Sequence, residues 1–288
     1  MAATVAIGIQ NFDKLREGAF CYIDKTSFIR EWWESGDDVT LITRPRRFGK
    51  TLNMSMLEAF FSVNYANRGD LFEGLGIWQD EKYRRLQGTY PVLFLSFANI
   101  KETDFETTSY RIRQLLMMLY EKYVFLTEGE HLSDAEKEIF HRMRTSMSEE
   151  DASLALYRLS DYLCRYYGKK VIILLDEYDT PMQEAYVNGF WEELVSFTRN
   201  LFNSTFKTNP YLERAVMTGI TRMIGKYKIV VENEFLKFGL RHKKSLLILA
   251  CLRCRATKKA HSILSERCRT PCISDFHSAT RAKYDSYY

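Results

Sequence analysis

The chain has 288 residues, of which 46% are hydrophobic and 14% aromatic. This composition excludes an intrinsically disordered or collagen-like protein and allows one large domain or two small ones. Residues 1–10 contain no basic segment of the kind that begins a signal peptide, and no apolar run approaches the length of about 18 residues that indicates a membrane span. We therefore expect a cytoplasmic protein with no membrane partner.

The net charge of +4 hides an asymmetry along the chain. Residues 223–288 carry 14 Lys and Arg against 5 Asp and Glu, whereas residues 1–222 carry 27 against 32. The basic character belongs to the C-terminal part alone, so the overall charge does not indicate what the protein binds. Cys21 and Cys164 lie in apolar sequence, which predicts reduced thiols in the core.

The N-terminal residues predict a helix over 27–35, because its aromatic and aliphatic side chains recur at helical spacing. Asp24 or Thr26 is expected to cap the start of this helix. The turn 35–38 ends it and leads into the apolar segment 39–43, which is predicted to be a buried strand.

Further along, apolar runs alternate with amphipathic segments. Strands are predicted over 90–97, 169–177 and 213–219, and helices over 52–61, 103–127, 150–167 and 189–206. The polar and charged residues 131–148 are predicted to be helical and exposed. Strands that alternate with helices indicate an α/β domain with a mostly parallel sheet.

A phosphate-binding motif follows the first strand. Gly49-Lys50-Thr51 completes the pattern G-x-x-x-x-G-K-[ST], in which backbone N–H groups and a helix N-terminus hold phosphate oxygens. Lys50 is expected to reach the terminal phosphates and the Thr51 hydroxyl to hold Mg²⁺. Arg44 stands where the pattern has its first glycine, so the loop begins differently. The residues expected to contact the nucleotide are Arg46, Arg47, Phe48, Gly49, Lys50, Thr51 and Leu52.

A second motif supports a nucleotide site. The apolar run that ends at Asp176 is followed at once by Glu177, and the carboxyl ends of parallel strands are where such sheets bind ligands. Asp176 is expected to hold Mg²⁺ or its waters opposite Thr51, and Glu177 to polarise the attacking water. Thr218, at the end of the next strand, is expected to sense the γ-phosphate. Arg222 follows as a candidate for stabilising developing charge.

Each feature also has a plainer interpretation. The basic turn 44–47 is compatible with a solvated surface, and the acids 176–179 with an acidic loop after any buried strand. Thr218 is compatible with an ordinary strand-end threonine, and Asp179 fits a turn or a helix cap better than a ligand. The combination of the loop with an acid-ended strand favours the nucleotide site over these alternatives.

Several segments together resemble the AAA-ATPase-like family of bacterial predicted ATP-binding proteins. They are 7–9, 22–26, 41–55, 91–97, 174–181 and 216–220. The resemblance implies a three-layer phosphate-loop NTPase fold of the additional-strand, catalytic-glutamate branch, with ATP and Mg²⁺ as cofactors. It also implies that the Arg-Pro-Arg-Arg sequence at 44–47 is the family's own form of the loop. Family members commonly continue into a nuclease-like domain of the PD-(D/E)xK type, whose acid–acid–lysine set is not visible in this sequence.

The resemblance covers residues 1–222, which we expect to be one NTPase domain, incomplete at its C-terminus. Residues 223–288 are expected to be a separate, poorly ordered basic tail. One hypothesis is that a frameshift or gene-model error replaces the true continuation. A second is a tetrahedral zinc site, although neither cysteine pair has the glycine that zinc knuckles usually need. A third is a basic segment that attracts nucleic acid. The candidate zinc ligands are Cys251, Cys254, Cys268 and Cys272, with His261 between the two pairs.

The sequence therefore supports two main classes of function. The first is an ATPase that hydrolyses Mg²⁺-bound ATP slowly and acts as a regulatory switch. The second is a nucleotide-binding interaction module that engages a protein partner without hydrolysis. The ATPase part of a nucleic-acid-processing system remains a further, less supported alternative.

Overall fold

The structure of the protein is a computed structural model that describes residues 8–45 and 47–220. Four strands form one parallel sheet in the order β1-β4-β3-β2. Their bounds are Val39–Thr43 (β1), Val92–Ser96 (β2), Val171–Asp176 (β3) and Leu212–Gly219 (β4). The predicted parallel sheet is confirmed, and the last of these strands lies between the first and the third.

Helices connect the strands. Their bounds are Phe12–Glu17 (α1), Ser27–Glu34 (α2), Lys50–Phe61 (α3), Glu81–Arg84 (α4), Phe105–Glu121 (α5), Asp134–Thr145 (α6), Glu149–Tyr167 (α7), Thr180–Asn188 (α8) and Trp191–Phe202 (α9). Short 3₁₀ turns occupy Val63–Tyr65, Gly69–Phe72, Gly76–Gln79 and Val124–Thr127, and a π-helical turn, Asn203–Lys207, extends α9.

Helices cover both faces of the sheet because its strands are apolar on both sides. Every residue of β3 is buried. Ile173 and Leu175 join a core that contains residues of α5, α6, α7 and α9, whereas Ile172 and Leu174 join a second core with residues of α1, α2 and α3. Successive side chains of a strand point to opposite faces, so the two cores define a three-layer arrangement.

Three predictions about the periphery were wrong. The helix within 131–148 is not exposed throughout, because Phe140 and Met143 are buried in the first core. The two thiols are not core residues, since Cys21 is exposed and Cys164 only half-buried. Neither Asp24 nor Thr26 caps α2 through its side chain.

Asp24 and Thr26 instead connect this segment to the turn Gly76–Gln79. The Asp24 carboxylate accepts hydrogen bonds from the N–H groups of Gly76 (2.7 Å) and Thr26 (2.8 Å). The Thr26 hydroxyl oxygen accepts one from Ile77 N–H at 3.1 Å. These contacts hold the backbone on both sides of Lys25 against the turn Gly76–Gln79.

Within the described part of the chain, no helix is long and apolar enough to cross a membrane. Arg46, Arg222 and the candidate zinc ligands of the tail lie outside the described residues, as does the predicted boundary at 222/223. The tail hypotheses therefore stay predictions.

Candidate functional site

The carboxyl ends of β1, β3 and β4 lie side by side and position the candidate site. Thr43 is in register with Gly219, and the N–H of Arg44 continues the pairing by donating to the Gly219 carbonyl at 3.1 Å. The chain then turns through the basic loop and enters α3 at Lys50. The loop therefore starts at the strand ends, where parallel sheets bind ligands.

Gly49 ends the loop with φ of 76°, in the left-handed region that glycine adopts without strain. It is the N-cap of α3, so the free N–H groups of the first helical turn begin here. Arg47 also has a positive φ, of 68°. The loop thus combines tight turns with the positive end of a helix, which is the arrangement that holds phosphate groups.

Lys50, the first residue of α3, is 6% exposed. Its ammonium donates to the carbonyl oxygens of Arg44 (2.8 Å) and Pro45 (3.2 Å), so the side chain lies back along the loop. Phosphate oxygens are stronger acceptors than these carbonyls because they are charged. The side chain is therefore within reach of any phosphate that the loop would hold.

Asp176 joins the loop helix to the centre of the sheet. It is 1% exposed, and its Oδ2 accepts a hydrogen bond of 2.8 Å from the hydroxyl of Thr51. Its Oδ1 accepts another from the hydroxyl of Thr218. Three predicted site residues, separated widely in sequence, thus meet around one carboxylate.

Thr218 also holds the residue that follows Asp176. Its hydroxyl oxygen accepts a 3.2 Å hydrogen bond from the N–H of Glu177, and its carbonyl accepts one of 3.1 Å from Tyr178. Its hydroxyl hydrogen is donated to Asp176. The end of β4 therefore fixes the position of both acids.

Glu177 has φ of 51°, an unusual value for a residue with a side chain. Such a conformation costs on the order of 1–3 kcal/mol and persists when the surroundings impose it. The Glu177 carboxylate accepts a 3.3 Å hydrogen bond from the hydroxyl of Thr180. Glu177 is half-buried, whereas every residue of β3 before it is buried.

Asp179 has a role that the sequence did not reveal. It is the N-cap residue of α8 but makes no side-chain cap hydrogen bond. Fully buried, it accepts hydrogen bonds from Ile220 N–H (2.8 Å) and the Gln183 amide (2.9 Å). A Cβ atom on Gly219 would lie 2.7 Å from its carboxyl group, so glycine permits this close approach. Asp179 thereby ties the end of β4 to the start of α8.

Lys25 is the second residue that sequence reasoning missed as a site residue. It is 4% exposed, and its Nζ lies 3.6 Å from where a Cβ of Gly49 would be. Burial lowers the pKa of its ammonium. In the sequence, residues 22–26 supplied part of the family resemblance and two candidate helix caps, and neither periodicity nor a motif indicated that Lys25 lies beside the loop.

The remaining predicted nucleotide contacts lie in the same region. Arg47 is exposed, and Phe48 and Leu52 are half-buried. Burial lowers the pKa of the Arg44 guanidinium. An arginine pKa is nevertheless so high that the group keeps its positive charge. Cations thus line the loop, and two acids lie opposite them at the end of β3.

The oxygen ligands present fit a magnesium ion. The Thr51 hydroxyl and the Asp176 carboxylate are hard donors in direct contact, and Mg²⁺ is usually held by one or two protein groups while phosphates and water complete its shell. Within residues 8–45 and 47–220, no group of three or more His, Cys, Asp or Glu side chains could hold a metal ion by itself. The donor set therefore suits a metal that arrives with a phosphorylated ligand.

Comparison with known proteins agrees with this chemistry. A family model described as "Predicted AAA-ATPase" matches residues 6–229. A protein of Azotobacter chroococcum mcd 1, "Uncharacterized protein in vnfD 5'region", is 28% identical over 218 residues, which are 75% of this chain and 37% of the relative. The chain thus spans little more than a third of the length of that relative. No solved structure gives a significant match.

Proposed function

The chain belongs to the predicted AAA-ATPase family, and from this premise we propose that it binds Mg²⁺ and ATP and hydrolyses the nucleotide slowly, as a regulatory switch. The observation that carries the proposal is the 2.8 Å hydrogen bond between Thr51 and Asp176. It joins the phosphate loop to the acid-ended strand, the two parts that a magnesium–nucleotide site needs. The position of β4 between β1 and β3 supports assignment to the additional-strand, catalytic-glutamate branch.

In this proposal the loop binds the phosphate chain of ATP. The N–H groups at Gly49 and the first turn of α3 donate to phosphate oxygens, helped by the positive end of the helix. Lys50, whose ammonium now donates to the carbonyl oxygens of Arg44 and Pro45, would donate to phosphate oxygens instead. Arg46, Arg47, Phe48 and Leu52 complete the nucleotide contacts.

Thr51 and Asp176 would hold the magnesium ion. When bound, the ion would neutralise the negative charge that develops on the phosphate oxygens. Thr218 contributes by fixing the Asp176 carboxylate and the Glu177 backbone. In the loaded site it also senses the γ-phosphate.

Glu177 is the proposed general base. Its carboxylate orients a water molecule toward the γ-phosphate and accepts the proton as the water attacks. The positive φ of Glu177 supports this role, because strained backbone at such a position is characteristic of functional sites. Arg222, three residues beyond β4, stabilises the charge of the departing phosphates in this scheme.

The hydrogen bond from Thr180 to the Glu177 carboxylate favours a second candidate function. A carboxylate oxygen that accepts from Thr180 is not free to accept from a water molecule, so the same site is also compatible with a nucleotide-binding module that does not hydrolyse. Such a module would act through a protein partner. Single-turnover hydrolysis separates the two candidates, because only the ATPase releases phosphate.

The central experiment compares ATP binding by Lys50→Ala with that by Lys101→Ala, a matched change at an exposed lysine. We expect the first variant to bind Mg²⁺ and ATP at least about tenfold more weakly, a loss of about 1.4 kcal/mol, and the second to bind like the parent. A Lys50→Ala protein that binds and hydrolyses ATP as well as the parent would overturn the proposal.

Hydrolysis itself is tested with Glu177→Gln. This variant should keep nucleotide affinity and lose phosphate release, since it removes the base and leaves the loop intact. Phosphate release that persists at the parental rate excludes Glu177 as the base. No release from the parent in a single turnover selects the binding module instead.

A further inference from the structure

The Lys25 ammonium is a buried positive charge beside the phosphate loop. The residue is 4% exposed, and its Nζ lies 3.6 Å from the Cβ position of Gly49. A lysine that loses this much contact with water needs an acceptor or an anion to compensate for the lost hydration. The question is which group supplies it.

The neighbouring acid does not supply it. The Asp24 carboxylate instead accepts hydrogen bonds from the N–H of Gly76 and from the N–H and hydroxyl of Thr26. Within residues 8–45 and 47–220, the Lys25 ammonium makes no ion pair with a carboxylate and donates no hydrogen bond. Burial accounts for the lowered pKa of Lys25 without any contribution from a nearby charge.

The side chain is held in this position by the surrounding structure. Asp24 and Thr26 anchor both sides of Lys25 to the turn Gly76–Gln79, and the Lys25 N–H donates to the Tyr22 hydroxyl at 3.3 Å. The ammonium is therefore presented to the end of the loop by a fixed backbone. A preorganised cation costs little further ordering when an anion arrives.

We propose that Lys25 is a second phosphate-binding lysine, whose ammonium contacts the phosphate chain of the bound nucleotide beside Gly49. Three observations meet there: the N-cap glycine of α3, the free N–H groups of that helix, and a buried lysine whose Nζ lies 3.6 Å from the Cβ position of that glycine. A phosphate oxygen at this place receives hydrogen bonds from the helix and a charge-assisted one from Lys25. The inference rests on the proposed function, because it assigns a further residue to the same site.

The test compares Lys25→Met with Lys25→Arg and with Lys101→Met, the same change at an exposed lysine. For each purified full-length chain, the thermal midpoint is measured without nucleotide, and the dissociation constants of Mg²⁺–ATP and of inorganic triphosphate are measured by titration. Lys25→Met keeps the apolar length of the side chain and removes the charge. Lys25→Arg keeps the charge and changes its reach.

We expect Lys25→Met to bind ATP and inorganic triphosphate at least about tenfold more weakly, whereas without ligand its thermal midpoint is unchanged or higher. Lys25 has no carboxylate partner among residues 8–45 and 47–220, so removal of its buried charge relieves an unfavourable desolvation, which accounts for the second effect. We expect Lys25→Arg to recover part of the affinity and Lys101→Met to match the parent. A purely structural lysine gives the opposite pattern, with a lower midpoint and unchanged affinity, and that result overturns the inference.

The outcomes also separate this inference from the proposed function. If the parent binds ATP and Lys25→Met binds it within about twofold, only the role of Lys25 fails. If the parent binds inorganic triphosphate but not ATP, and Lys25→Met loses that binding, the phosphate contact stands and the nucleotide function fails. A parent that binds neither compound overturns both. Should Lys25→Met not fold, Lys25→Gln replaces it with the same criteria.

Discussion

The Thr218 hydroxyl offers the sharpest test of how the site is built, through Thr218→Val. Valine has nearly the same shape as threonine, so the substitution removes the hydroxyl and leaves no cavity. In the parent this group donates to Asp176 and accepts from the N–H of Glu177 at 3.2 Å, and Thr218 is 1% exposed. The perturbation therefore acts on two buried hydrogen bonds at once.

The magnitude follows from those two contacts. A buried polar group that loses its partner costs about 1–3 kcal/mol. Because two contacts are lost together, we expect Thr218→Val to be destabilised by about 2–3 kcal/mol. Thr218→Ser is the matched control: it keeps the hydroxyl and loses one methyl group, at a cost of about 1 kcal/mol.

Urea denaturation followed by far-UV circular dichroism measures the difference. We expect the valine variant to be about 1–2 kcal/mol less stable than the serine variant, with the same denaturant slope. The serine variant should also retain ATP binding, since both acids keep their positions. A valine variant as stable as the serine variant would refute the bridging role of the hydroxyl.

Three further predictions concern the backbone and the loop support. Glu177→Asn should raise the free energy of unfolding by about 0.5–1 kcal/mol, because asparagine tolerates positive φ. It should also abolish phosphate release, because it removes the carboxylate. Glu177→Gln keeps the strained backbone, so equal stability of the two variants in urea would contradict this prediction. Gly88→Ala should lower the thermal midpoint by several degrees, because φ is 68° and the new Cβ would lie 2.3 Å from the Ala66 backbone; an unchanged midpoint would exclude the clash. Burial alone would raise the pKa of Asp24, but hydrogen bonds from Gly76 N–H and from Thr26 hold this pKa below its usual range. Asp24→Asn should therefore cost stability at pH 7 and progressively less as the pH falls below about 4; a cost independent of pH in urea titrations contradicts this.

Much of the fold was predictable because local sequence patterns indicate its strands and helices. The apolar runs at 39–43 and 171–176 indicated buried strands, and the amphipathic segments between them indicated helices on a parallel sheet. The loop and Asp176 were recognisable because glycine, lysine and a strand-end acid have specific chemistry at those positions. The structure brings Thr51 and Asp176 into contact, and their role in holding Mg²⁺ stays a prediction.

The missed features depend on contacts between distant segments. Lys25 lies beside Gly49 because its segment is anchored to Gly76, and no local pattern reports such a contact. Asp179 resembles an ordinary helix cap in sequence, whereas its carboxylate is used by the chain after β4. Phe140 was assigned to an exposed helix because charged neighbours dominate that segment, yet the ring packs against Tyr120.

The position of β4 also has a consequence for how the protein is made. Within the described residues β1 pairs with β4 alone, Val39 lying opposite Ala215. Such a pairing closes a very long loop, and long-range parallel pairing is slow to form. As the chain leaves the ribosome, β1 and the phosphate loop that it carries have no sheet partner until β4 has been synthesised. The proposed nucleotide site is therefore among the last parts to assemble, and a nascent chain that stalls before residue 212 exposes an unpaired apolar strand to aggregation or to chaperones.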